Sequence, residues 1–236
     1  MSPQKRTKGI HMKFISSCYW QQGENDSTLL LQQYLCGRQT VLFACVCAGE
    51  STAEGVAGGY LSKQLLDWFR GRKLTWAVRK PELFFKTQAA RLEQLLERTD
   101  RELEEAGLLT GRGTSKTAAS LAGVLCLGRE CLIFGRGNTE VLLLNRCMGR
   151  ACAERVPKSE SLYLKRGMME QDIGLLLATD SFANRIPKKL LEEGLSVEEV
   201  LTDRQAEKHL QELGEVGEKE NGRNMAAVLL YTRGEL

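Results

Sequence analysis

The chain has 236 residues, 42% of them apolar and 27% charged, with a net charge of +3. That length can bury a sizeable core without staples, and that charge is too small to argue for nucleic acid or an anionic membrane as partner. No apolar run approaches the ~18 residues of a membrane span, and no signal-peptide core is present.

Residues 1–12 are polar and basic, with Lys5, Arg6 and Lys8, and end in His11-Met12 in the manner of a cloning junction. They read as a tag or disordered leader, and residues 13–236 read as one domain. Lys13–Trp20 reads as a strand, and the Leu-rich Ser27–Leu35 as a second. Thr40–Cys47 is nearly all apolar, as expected of a central strand buried on both faces. Ser51-Thr52-Ala53-Glu54 is a capping box, and Leu61, Leu65, Leu66 and Phe69 follow it at helical spacing. Pro81–Ala106 reads as a long helix with an apolar stripe of Phe84, Phe85, Leu92, Leu95 and Leu96.

A glycine-rich break, Gly107–Gly113, separates this helix from strands expected at Thr117–Leu127, Cys131–Gly135 and Glu140–Leu144. Asn145–Gly149 reads as a turn and Arg150–Gln171 as two short strands. Ile173–Thr179 is a further buried strand, followed by helical material with a second capping box, Ser196-Val197-Glu198-Glu199. Glu212–Asn224 reads as a mobile loop, and Met225–Thr232 as the last strand. The order predicts an α+β fold of two antiparallel β-sheets packed as a sandwich and flanked by helices, with the two long helices an antiparallel pair on one sheet.

None of the eight cysteines forms Cys-x-x-Cys, which argues against zinc-ribbon and thioredoxin chemistry. They read as small core residues in a reducing, cytoplasmic setting. With only His11 and His209 present, a Ser-His-Asp triad or a multi-histidine metal site is excluded.

Several short segments, in order, resemble motifs of the type-2C (PPM-type) metal-dependent Ser/Thr protein phosphatases. Gly23-Glu24-Asn25-Asp26-Ser27 is similar to an early turn of that family, and Phe43–Cys47 followed by Ala48-Gly49-Glu50 to the strand that ends in its Asp-Gly motif. Gly113–Thr117 resembles its Gly-Thr-Thr-x-Thr segment, and Gly137-Asn138-Thr139-Glu140 its Gly-Asp-Ser-Arg turn. Leu176–Ser181 resembles Leu-Leu-x-Ser-Asp-Gly, and Arg223-Asn224-Met225-Ala226 the terminal Asp-Asn-x-Thr. The segment between Leu144 and Ile173 is shorter than in that family and reads as lacking its flap. The chain thus looks like a degenerate, bacterial-like member.

The resemblance implies a fold built to hold two Mg²⁺ or Mn²⁺ ions, whose bridging water attacks phosphorus. By motif, the ligand positions are Asp26, Ala48, Asp180 and Arg223, with the carbonyl of Gly49. Ala48 has no oxygen on its side chain, and Arg223 places a cation where an anion is expected. A unit charge about 5 Å from a divalent ion, at an effective dielectric near 20, is worth roughly 6–7 kcal/mol, so the exchange strongly opposes occupancy. Gln21 and Gln22 stand where a phosphate-binding arginine is expected.

The expectation is therefore no resident cofactor, with Mn²⁺ or Mg²⁺ at most weakly held through Asp26 and Asp180. Arg223 is expected to pair with Asp26 or Asp180. Glu24, Glu50 and Glu220 are the candidate substitute ligands. Apart from metals, Asp26 fits an Asx-turn, and Asp180 the N-cap of a short helix. The function implied is a catalytically impaired pseudophosphatase that binds a protein partner: a kinase, a phosphoprotein or an active relative. The alternative is a phospho-Ser/Thr phosphatase with a reduced metal site.

Overall fold

The structure, a computed structural model, describes residues 12–21, 27–36, 39–49, 56–70, 80–107, 119–147, 150–170, 173–196, 199–200, 202–220 and 224–234. In chain order the strands and helices are β1 (Met12–Trp20), β2 (Ser27–Cys36), β3 (Gln39–Gly49), α1 (Val56–Arg70), α2 (Pro81–Glu105), β4 (Ala119–Leu127), β5 (Glu130–Arg136) and β6 (Thr139–Cys147). They continue with β7 (Arg150–Arg155), β8 (Tyr163–Met168), β9 (Gly174–Thr179), α3 (Asp180–Arg185), α4 (Lys188–Gly194), α5 (Asp203–Lys219) and β10 (Ala226–Gly234). One sheet has the order β1-β10-β9-β6-β7 and the other β2-β3-β4-β5-β8. Every pairing is antiparallel.

Side-chain alternation explains why the central strands are apolar throughout. Along β3, Leu42, Ala44 and Val46 point into the layer between the sheets, where they meet Leu175, Leu177, Val228 and Leu230. Val41, Phe43, Cys45 and Cys47 point the other way, onto α1 and α2. β10 divides similarly: Val228 and Leu230 face the other sheet, while Leu229 and Tyr231 face the α3–α5 layer. The result is four layers, helices–sheet–sheet–helices. Each fully buried Leu or Phe in them stabilises the fold by about 1.5–3 kcal/mol.

α1 and α2 lie on the second sheet as an antiparallel pair. Tyr60 donates to Glu102 at 2.7 Å, and Arg98 to Gln64 at 3.3 Å, so the numbering falls along α2 as it rises along α1. Their stripes of Leu61, Leu65, Phe69, Phe84, Phe85, Leu92 and Leu96 are all buried.

The structure differs from the sequence expectations in several places. β6 continues to Cys147, into the expected turn at Asn145–Gly149, because β7 pairs with it as far as Cys147↔Arg150; residues 148–149 lie outside the described residues. At the expected capping box Ser196–Glu199, whose residues 197–198 lie outside the described residues, Glu199 N and Val200 N donate to the Ser196 carbonyl. The cap belongs to Thr202, whose hydroxyl accepts from Gln205 N at 3.2 Å.

The expected mobile loop Glu212–Asn224 is for most of its length the second half of α5. Its glycines suggested a loop, yet they serve packing. Gly214 lies directly under the Tyr19 ring of β1, and Gly217 against Met225, with no room for a Cβ at either. The same device recurs where Gly174 sits beneath Tyr231 and Gly135 beneath Tyr163. The capping box at 51–54 and most of the glycine-rich break lie outside the described residues.

Five of the cysteines, Cys36, Cys45, Cys47, Cys126 and Cys131, are buried, as expected of core residues. Cys18 is exposed and Cys152 half-buried, so those two are not core residues.

Candidate functional site

The ends of five strands, β2, β3, β4, β9 and β10, are tied together by pairing and hydrogen bonds. Ser27, at the start of β2, pairs with Ala48 at the end of β3, and Ala48 also pairs with Ser120 of β4. Ser27 Oγ donates to the carbonyl of Asn224 at 3.2 Å, joining β2 to the segment that opens β10. Asn224 has φ 55°, a left-handed conformation that Asn tolerates better than most residues. Ala226 N donates to Thr179 Oγ1 at 3.1 Å, which ties β10 to the end of β9. Gln21 and Met225 exchange hydrogen bonds at 3.0 and 3.2 Å and close the same corner.

Ala48 and Gly49 are half-buried here, and Ala48 contributes a methyl group. Asp180 opens α3 at the end of β9, with its side chain 45% exposed. It is not the N-cap: Thr179 is, since its hydroxyl accepts from Phe182 N. Asp180 therefore occupies the first helical position, where a carboxylate is free to pair with other groups. Asp26 and Arg223 directly precede Ser27 and Asn224 but lie outside the described residues, as do Glu24 and Glu50. Glu220 is exposed at the C-terminal end of α5.

The cation that meets Asp180 is Lys158, not a residue singled out from the sequence. Its ammonium bonds Asp180 Oδ1 and, at 2.8 Å, Glu140 Oε1. Glu140 is 1% exposed on β6, and Arg155 approaches the same oxygen at 3.4 Å. Arg155 also donates to the Ala183 carbonyl at 3.2 Å, linking β7 to α3. Desolvation lowers the Lys158 pKa, but its hydrogen bonds to Asp180 and Glu140 outweigh this and raise it above the ordinary lysine value. Burial, aided by the Glu140 charge, pushes the Tyr163 phenol up as well.

Nothing in the local sequence signals Lys158, which sits on the connection between β7 and β8. The available hint was Glu140, an acid directly before the apolar run Val141–Leu144. A carboxylate buried there requires a cation.

A pair of divalent ions requires several carboxylate oxygens converging on one space. Of the described residues, Ala48 supplies none and Gly49 only its carbonyl. Asp180 is already committed to an ammonium ion. Among the described residues, no group of three His, Cys, Asp or Glu is placed to hold a metal. These described donors are only part of the expected set, since Asp26, Glu24 and Glu50 lie outside the described residues.

No sequence family model and no curated protein matches the chain. Solved structures do. The catalytic domain of the serine/threonine phosphatase PstP in complex with two manganese ions aligns over 94% of this chain and 98% of its own, with a TM-score of 0.63 at 13% identity. The chain has the PPM-type phosphatase fold.

Other phosphatases of this fold align as fully. PppA of Pseudomonas aeruginosa, described as a key regulatory component of the T6SS, covers 94% of this chain with 98% of its own length, at a TM-score of 0.64 and 15% identity. The S. agalactiae serine/threonine phosphatase covers 95% of this chain with 100% of its own, at a TM-score of 0.64 and 13% identity. The phosphatase fold is thus kept along the whole chain while few residue identities are.

Proposed function

We propose that the chain is a PPM-type pseudophosphatase, a binding or regulatory module that keeps the phosphatase scaffold without its metal chemistry. The observation that carries this reading is the Lys158 ammonium lodged between Asp180 and the buried Glu140. An internal cation there meets a charge requirement that a metal ion meets elsewhere. Ala48 strengthens the reading, since the position has no oxygen to bridge two ions. Asp26, Ala48, Gly49, Asp180 and Arg223 form the degenerate metal site in this proposal, with Arg223 a second internal cation near Asp26.

The partner class is a protein: a kinase, a phosphoprotein or an active phosphatase. No described helix is long and apolar enough to cross a membrane. The free, largely buried cysteines suit a reducing, cytoplasmic setting.

The test pairs Mn²⁺ calorimetry with phosphate release from a phosphopeptide. The expected result is affinity in the millimolar range or weaker, about −4 kcal/mol or less, and hydrolysis at background. Metal-dependent turnover abolished by Asp180→Ala would replace this reading with a phospho-Ser/Thr phosphatase using a rearranged site. Glu24, Glu50 and Glu220 would then be the substitute ligands to examine.

A further inference from the structure

A cleft of about 400 Å³ opens between α2, the end of β5 and the segment leading into β8. Leu96 and Leu162 give it apolar walls, and Glu93, Glu97 and Glu160 surround it. Arg136 lies at its base, with its side chain 4% exposed. Its terminal nitrogens donate to both oxygens of Asp100 at 2.6 and 2.8 Å, so these two charges cancel. Glu93, Glu97 and Glu160 have no such partner among the described residues. The Arg136 Nε donor is buried beside them without an acceptor.

We propose that this cleft docks a basic peptide segment of a protein partner. An arginine or lysine side chain sits among Glu93, Glu97 and Glu160, and a neighbouring apolar side chain rests on Leu96 and Leu162. Three carboxylates with no cation partner among the described residues stand out on a chain whose net charge is +3. Local complementarity, not the overall field, therefore selects a cation. The apolar walls favour an occupant with an apolar body over a hydrated inorganic ion. None of these residues belongs to the degenerate metal site, so the proposal stands whichever way the activity assay falls.

The test titrates the full chain into a fluorescein-labelled peptide of alternating leucine and arginine, read by anisotropy at low and high salt. The expected result is saturable binding, weakened about tenfold or more by the combined Glu93→Gln, Glu97→Gln and Glu160→Gln variant. The leucine–glutamate version of the peptide should not bind. A control variant, Glu207→Gln with Glu212→Gln and Glu215→Gln on α5, should bind as the unmodified chain does. All these changes lie on exposed side chains, and circular dichroism confirms that the variants fold. Equal binding by the cleft variant, or equal weakening by the control, overturns the proposal. Spermidine displacing the peptide with equal affinity assigns the cleft to polyamines instead. Self-association abolished by the cleft variant assigns it to a second copy of this chain.

Discussion

Lys158 and Glu140 face each other at 2.8 Å, and the carboxylate of that pair is sealed within the sandwich at 1% exposure. A strand whose middle, Val141–Leu144, is apolar thus carries a buried anion, and a surface connection supplies its counter-charge. The arrangement makes the connection between β7 and β8 part of the fold's electrostatics.

Removing the cation should therefore cost stability. Breaking a buried pair from one side typically costs 3–5 kcal/mol, because the remaining charge is left uncompensated. Arg155 stays 3.4 Å from Glu140, and Lys158 is 36% exposed, so Lys158→Met should cost about 1–3 kcal/mol. Urea unfolding of Lys158→Met, Glu140→Gln and the double variant measures this. The double variant should lose less than the sum of the two single losses. Strict additivity would show that the pair is not coupled.

Restoring oxygens without removing the internal cation should do little. Ala48→Asp and Arg223→Asp each restore a carboxylate at a proposed ligand position, but Lys158 still competes for Asp180. Adding Lys158→Met to both should raise Mn²⁺ affinity by more than the separate effects combined. Calorimetry of the single, double and triple variants decides the point. A triple variant no better than Ala48→Asp alone would show that these positions do not share a metal.

Gly214→Ala sets two effects against each other. Alanine in a helix interior gains about 1 kcal/mol over glycine. The new methyl, however, would lie inside the Tyr19 ring, and overpacking costs about 1–3 kcal/mol. Because α5 is pinned between Tyr19 and the α3–α4 layer, the steric cost should win and the melting temperature should fall. Adding Tyr19→Leu should recover part of the loss by freeing the space. A rise in melting temperature for Gly214→Ala alone would refute the tight approach.

Alkaline pH should unfold the protein cooperatively. Burial raises the Tyr34 phenol to about 12, and Tyr19, Tyr163, Cys45 and Cys126 are also raised, chiefly by burial. In each case the unfolded chain loses its proton first, so stability is complete below the unfolded value and declines as pH rises. The decline should begin near the ordinary thiol pKa of 9.0 and steepen above the phenol value of 10.0. Tyrosinate absorbance and far-UV circular dichroism should change together. Tyrosine titration completed while the dichroism is unchanged would contradict the burial.

Much of the fold was legible because hydrophobic patterning reports how many faces of a strand are covered. Thr40–Cys47 announced a strand buried on both sides, and Leu42 and Phe43 point to opposite layers. Composition misled at α5: Gly214 and Gly217 look like loop residues until Tyr19 and Met225 are seen above them. Thr179 and Asp180 show the same limit at the site. Which of two adjacent polar residues caps a helix depends on backbone geometry, and a shift of one residue reassigns the carboxylate from cap to ion pair. Lys158 was hidden because its partners lie 18 and 22 positions away. No short-range pattern connects them.

The glycines under tyrosine rings bear on how such a chain can diverge. A ligand carboxylate that no longer binds metal can be exchanged singly, with little effect on packing. Gly174 beneath Tyr231 and Gly135 beneath Tyr163 have no such freedom, because a side chain at either glycine needs a smaller partner at the same time. Single-step substitution erodes the first kind of position and leaves the second in place. Distant kin of this protein should therefore be easier to recognise by paired small and aromatic positions across the sheets than by their acids.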